Sequence, residues 1–167
     1  MKINKISKQL ALCLFVLIPT CIICAQNKVM FDADLKDIQG NSVSLKKEIQ
    51  EKDKFYVLSF WATWCAPCLN ELDSINDVYQ DWKKELNVEV VAISTDDSRT
   101  ISRVKPLING KGWDFTVFLD TNNDLKRKLG FQSVPYLVIV KNGEIVYTQN
   151  GYTPNSEVLL LKRMKKL

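Results

Sequence analysis

Phe55-Tyr56-Val57-Leu58-Ser59-Phe60-Trp61-Ala62-Thr63-Trp64-Cys65-Ala66-Pro67-Cys68 is the stretch on which the fold turns. Phe55–Ala62 is an almost continuous apolar and aromatic run, the pattern of a central strand buried on both faces. Beyond the cysteines, Leu72, Ile75, Val78, Tyr79 and Trp82 recur at three- and four-residue spacing. That stripe predicts a helix from near Cys65 to about Leu86. Val88–Ser94 is the next buried strand, so strand, helix and strand make a βαβ unit with parallel strands.

Residues 29–45 alternate weakly around Gln39-Gly40-Asn41 and read as a hairpin. Segment 98–112 reads as helical up to Gly110 and Gly112, and Phe115–Asp120 as a strand. Asn122–Leu129 is a short helix ended by Gly130. Tyr136–Val140 and Glu144–Tyr147 are strands joined through Asn142-Gly143, a strong two-residue hairpin signal. A last helix runs from about Asn155 to Lys166, with Val158, Leu161 and Met164 on one face. The alternation predicts an α/β fold with a mixed central sheet flanked by helices.

A length of 167 residues suits one domain, and 46% apolar with 25% charged residues is a globular composition. An excess of 23 basic over 19 acidic residues is too small to argue for nucleic acid. The chain has no histidine. That excludes a Ser-His-Asp triad, a His-assisted cysteine nucleophile, and His-ligated zinc or haem.

Residues 1–25 differ from the rest. Lys2, Lys5 and Lys8 are their only charges, and an apolar run from Leu10 to Ala25 follows, interrupted by Pro19 and Thr20. This is the layout of a secretory signal, with cleavage expected after Ala25. An uncleaved anchor and lipidation at Cys21 or Cys24 are the other readings. Cleavage removes Cys13, Cys21 and Cys24, leaving one domain over 26–167 whose only cysteines are Cys65 and Cys68. It also leaves 20 basic residues against 19 acidic ones.

At the start of a helix, Cys65 meets free backbone N–H groups and the positive end of the dipole. Both favour thiolate over thiol. Cys68 lies one turn further in, within disulfide reach, and Pro67 in the first turn costs no needed hydrogen bond. A structural zinc site needs four N or S ligands, which the processed chain lacks. An inert disulfide would close too small a loop to stabilise much. A redox-active pair, one reactive sulfur and one resolving sulfur, fits best, with no metal and no cofactor.

The Phe60–Cys68 stretch resembles the active site of the thioredoxin superfamily, in particular exported thiol–disulfide oxidoreductases of the TlpA/ResA/CcmG type. The resemblance extends to the Gly40 hairpin, Val91-Ala92-Ile93-Ser94-Thr95-Asp96, Val134-Pro135 and Lys141-Asn142-Gly143-Glu144. It also implies an extra helix–strand insertion between Asp96 and Asp120. It makes Cys65 the attacking cysteine and Cys68 the resolving one. Pro135 becomes the cis-proline against the disulfide, and Val134 a backbone partner of the bound substrate chain. Glu71 would tune cysteine acidity and proton transfer. Trp64, Ala66 and Pro67 would border the substrate, with Trp64 shielding the pair, whereas Trp61 serves equally as plain packing.

Three positions depart from the pattern. Ser59 stands where thioredoxin has a buried aspartate, Leu69 where the subfamily often has a cation, and Asp73 where it often has a proline. The function implied is reduction of disulfides in exported proteins, apocytochrome c among the fitting clients, by a monomer of the periplasm or cell envelope. A membrane thiol reductant would supply electrons. A thiol peroxidase and a non-catalytic peptide-binding module are the alternatives. Peroxidases of this fold place a Pro-x-x-x-Thr-x-x approach before the reactive cysteine, and that approach is absent here.

Overall fold

The computed structural model describes residue 31 and residues 33–167. The expected export segment over 1–25 and residues 29, 30 and 32 of the expected hairpin lie outside the described residues. Seven strands form one mixed sheet: β1 (Asp34–Lys36), β2 (Ser42–Ser44), β3 (Phe55–Trp61), β4 (Val88–Ser94), β5 (Thr116–Leu119), β6 (Tyr136–Lys141) and β7 (Glu144–Asn150). Their spatial order is β2-β1-β5-β4-β3-β6-β7. The helices are α1 (Leu45–Glu48), α2 (Ala66–Glu85), α3 (Val104–Lys111), α4 (Asp124–Leu129) and α5 (Ser156–Met164), with a 3-10 turn at Ile101–Arg103 before α3.

Strand β3 lies between β4, its parallel partner, and β6, its antiparallel one. All seven of its residues are buried, as the unbroken apolar run requires. Alternation then sorts its side chains into two cores. Phe55, Val57 and Trp61 pack toward Leu72, Ile75, Tyr79 and Trp82 of α2, and toward Leu160 and Met164 of α5. Tyr56, Leu58 and Phe60 pack on the opposite face with Leu45 and Leu125. Ser59 belongs to the first row, and it is the polar exception on that face.

The insertion between Asp96 and Asp120 holds α3 and β5. Strand β5 extends the parallel set beside β4 and meets β1 at Lys36–Leu119. Gly112 ends α3 at φ +63°, a left-handed conformation that costs a residue without Cβ little. The β6–β7 turn has Asn142 at φ +54° and Gly143 at φ +81°, the pair of positive values that an Asn-Gly hairpin turn needs.

Two expectations are corrected. The expected hairpin over 29–45 gives way at Leu45 to the short helix α1, whose first residue is fully buried. On α5 the buried row is Ser156, Leu160 and Met164, each four residues apart, whereas Val158 is 58% exposed. Leu161 packs against the edge of the core. A nine-residue helix with three consecutive leucine-class residues presents two candidate faces, and docking on α2 selects the one through Leu160.

Helix α4 illustrates how a short helix is held. Its N-cap, Asn123, makes no side-chain capping bond. The buried Asp120 carboxylate at the end of β5 accepts from the N–H groups of Asp124 at 2.9 Å, Leu125 at 3.3 Å and Lys126 at 3.0 Å. A negative charge on free N–H groups at a helix start is favourable twice over. Asp120→Ala is therefore expected to cost about 2 kcal/mol. It should lower the urea midpoint without changing the denaturant slope. An unchanged midpoint would rule the capping role out.

Candidate active site

The peptide turns sharply after β3. The Cys65 N–H donates to the Ala62 carbonyl at 3.0 Å, and Cys65 itself is the N-cap of the 20-residue helix α2. Its carbonyl accepts from the N–H groups of Cys68 at 3.0 Å and Leu69 at 3.2 Å. Pro67 lies in the first turn, where no intrahelical donor is required. Cys65 and Cys68 are joined as a disulfide with Cα atoms 5.3 Å apart. Cys65 is 5% exposed and Cys68 fully buried, so an attacking or attacked group outside reaches the pair through Cys65.

A buried carboxylate fixes this turn. Asp96, just beyond β4, accepts from the Thr63 N–H at 2.8 Å and the Thr63 hydroxyl at 2.7 Å. It also accepts from the Ser94 hydroxyl at 2.9 Å. Because β3 and β4 are in parallel register, a side chain at the end of β4 reaches the loop leaving β3. In the sequence Asp96 stands out only as the last residue of the Val91–Asp96 motif. The available signal was an acidic residue directly after a buried strand, with its partner 33 residues earlier.

Glu71 is on α2, one turn beyond Cys68, and 1% exposed. The Ser59 hydroxyl donates to its Oε2 at 2.9 Å, and the Gln149 amide donates to its Oε1 at 3.4 Å. Burial pushes the Glu71 carboxyl up to about 7, with the Ser59 hydrogen bond opposing the rise. Ser59, noted as a departure from the thioredoxin pattern, therefore faces the carboxylate from β3. Gln149 was not foreseen; 78 residues separate it from Glu71.

The remaining expected site residues gather at the same end of the sheet. Trp64 is 62% exposed beside the cysteines and leaves an apolar face open to a bound chain. Ala66 and Pro67 are exposed. Val134–Pro135 is a cis peptide directly before β6, whose Tyr136 pairs with Phe60 near the end of β3. Val134 packs against the core cluster that includes Cys65 and Cys68. Trp61 is fully buried and meets Trp113 edge-on, with ring centroids 5.1 Å apart. Asp73 accepts from the Trp113 indole N–H at 2.9 Å and pairs with Lys111, so it ties α2 to the end of α3.

Residues 27–148, well over half of the chain, match the AhpC/TSA family. The chain belongs to that family. Within the AhpC/TSA family it is similar to the thiol-disulfide oxidoreductase ResA of Bacillus thuringiensis, at 32% identity over 111 residues. The similarity covers 66% of this chain and 61% of that protein's length. A thioredoxin-like protein of Porphyromonas gingivalis is 41% identical, with a TM-score of 0.71 over 81% of this chain and 89% of the other. A thiol:disulfide interchange protein DsbE from Chlorobium tepidum shares the fold at 23% identity, with a TM-score of 0.69 over 81% and 92% of the two chains. The α/β architecture is thus a thioredoxin-like fold.

The raised Glu71 value has a consequence for stability in the oxidised protein, where neither cysteine titrates. Below about pH 4.5, Glu71 is protonated whether the chain is folded or not. Above that the unfolded chain ionises first, and the folded one keeps its proton to about pH 7. The contribution is full at low pH and is lost as pH rises through 7, a change of about 3 kcal/mol. Denaturation from pH 4 to pH 8 should show the protein losing stability relative to Glu71→Gln by about that amount. Parallel pH profiles for the two proteins would contradict a buried, proton-holding Glu71.

Proposed function

We propose that this chain is an exported thiol–disulfide oxidoreductase that reduces disulfides of exported proteins through Cys65 and Cys68. The observation that carries the reading is the cysteine pair itself. One sulfur stands at the N-terminus of a long helix at the end of a fully buried strand, with the other beneath it and a buried carboxyl one turn further on. The names of the ResA and DsbE relatives support it. Export is supported by the signal-like character of residues 1–25.

In the reduced protein the Cys65 thiolate attacks one sulfur of a substrate disulfide. A Cys65–substrate bond forms, and the substrate's other sulfur leaves as a thiolate. Cys68 then loses its proton and attacks the Cys65 sulfur, releasing the second substrate thiol. Two electrons have passed to the substrate, and the chain holds the Cys65–Cys68 bond. Helix α2 favours the thiolate at Cys65 through its free N–H groups and dipole. Glu71, held near neutrality in acidity, accepts the Cys68 proton. Val134 and Pro135 bind the substrate backbone beside Trp64, Ala66 and Pro67. A membrane thiol reductant restores the dithiol.

No histidine lies between the cysteines to favour a strongly oxidising pair, so reduction is the expected direction. The peroxidase alternative lacks its motif: Leu58 and Ala62 occupy the places of the proline and threonine that precede a peroxidatic cysteine. Purified protein should consume disulfide-bonded peptide with a thiol donor and leave peroxide untouched. Cys65→Ser should abolish turnover. Cys68→Ala should accumulate mixed disulfides with its clients, visible as dithiothreitol-sensitive adducts on non-reducing gels. Full reductase activity in Cys65→Ser would overturn the assignment.

A further inference from the structure

Gln149 stands at the end of the edge strand β7, half-buried, opposite Leu137 of β6. Its amide group has three neighbours that fix its orientation. The Nε2 group donates to the Glu71 carboxylate at 3.4 Å and to the Gly151 carbonyl at 3.1 Å. The Oε1 atom accepts from the Tyr147 hydroxyl at 3.4 Å. Two acceptors on one side and a donor on the other admit one orientation of the amide.

The second acceptor matters most. The Gly151 N–H donates to the Pro135 carbonyl at 2.8 Å. One residue on, the Tyr152 hydroxyl shares a hydrogen bond of 3.0 Å with Ser74 of α2. The chain after β7 is thus fastened to the Pro135 turn at one point and to α2 at another. Gln149 lies where these attachments meet the buried carboxylate.

We propose that Gln149 is a positioning residue of the exchange site, tying the Glu71 carboxylate through Gly151 to the Pro135 turn. Resting on the reading that Glu71 takes the Cys68 proton and Pro135 faces substrate, the tie couples two events. A change of charge on Glu71 alters the pull on the Gln149 amide, and that amide is shared with the segment bonded to Pro135. An ionised Glu71 draws the amide toward itself; a protonated one releases it toward Gly151. The acid–base group and the substrate-binding turn therefore sense each other's state.

Among the described residues, Lys162, Arg163 and Lys166 line one cleft with Tyr147 and Gln149, and Tyr152 follows Gly151. Cys65 and Cys68 on α2 are bonded to each other in the oxidised protein. On β7 there is Tyr147, reached through Gln149, with the Arg163 guanidinium of α5 at 4.3 Å from its ring centre. Ser59 of β3 is neutral.

The test uses the full chain in its oxidised form and follows two NMR signals across pH 4–9. They are the side-chain carboxyl carbon of Glu71 and the backbone amide of Gly151. In the unaltered protein the Gly151 amide should titrate with the same midpoint as Glu71. In Gln149→Met, which keeps the length but loses the donor, the Glu71 midpoint should rise by about half a pH unit or more. The Gly151 amide should also stop following it. Gln149→Leu serves the same purpose if methionine perturbs the strand.

In turnover, Gln149→Met should lower kcat/KM for a disulfide-bonded peptide about threefold to tenfold. In a Glu71→Gln background it should lower it no further. An unmoved Glu71 midpoint, a Gly151 amide that still follows it, or an equal loss in both backgrounds would overturn the proposal. The NMR arm needs no turnover. Failure of the exchange reading, seen as activity in Cys65→Ser, is therefore distinguishable from failure of the tie.

Discussion

Strand β3 pairs with β4 along one edge and with β6 along the other, and it is buried on both faces. Its C-terminal end has no freedom to slide, because a slip of one residue would turn every side chain to the opposite core. The end of β3 at Trp61 therefore sets, through one tight turn, where α2 starts at Ala66, and Cys65 caps that start. Asp96 completes the constraint by holding Thr63 through backbone and side chain. The first turn of α2 is thereby built on a strand end, a buried carboxylate and a proline. Rigid support of this kind lets a helix N-terminus act on one sulfur rather than on an average of positions.

The same packing explains the second ionisable group. Helix α2 covers the sheet with a row that begins at Cys68 and continues through Leu72, Ile75, Tyr79 and Trp82. Glu71 lies in this buried surface, where a carboxylate is disfavoured unless hydrogen-bonded. Ser59 supplies a neutral donor from the strand below, and Gln149 one from the edge strand. The Ser59 hydrogen bond moderates the burial effect without cancelling it. The result is a carboxyl near the acidity at which it can both take and return a proton.

Most of the fold was legible in the sequence because its central elements are also its most uniform. A strand buried on both faces has to be apolar throughout, and a helix lying on it has to repeat its apolar residues every three or four positions. Phe55–Trp61, Ala66–Glu85 and Val88–Ser94 meet those demands, and the expected and observed bounds differ there by a residue at most. The Asn142-Gly143 hairpin was legible for a different reason: few residues tolerate its backbone. Helix α5 was harder, since Val158, Leu159, Leu160 and Leu161 are all apolar and periodicity does not choose among them. Ser59 and Gln149 as partners of Glu71, Trp113 as partner of Asp73 and Thr63 as partner of Asp96 were hidden because they lie 12 to 78 residues away, brought together by tertiary packing rather than by local pattern.

The central claim is that the fold makes the two sulfurs unequal, with Cys65 activated by the start of α2 and Cys68 held beneath it. The direct measurement is the rate at which each thiol of the reduced protein is alkylated as a function of pH, read by mass spectrometry of the two sites. The account predicts that Cys65 is modified far faster than Cys68, with a midpoint well below the roughly 8.5 of an ordinary thiol. Equal rates at the two sites, or a Cys65 midpoint at the ordinary value, would contradict it.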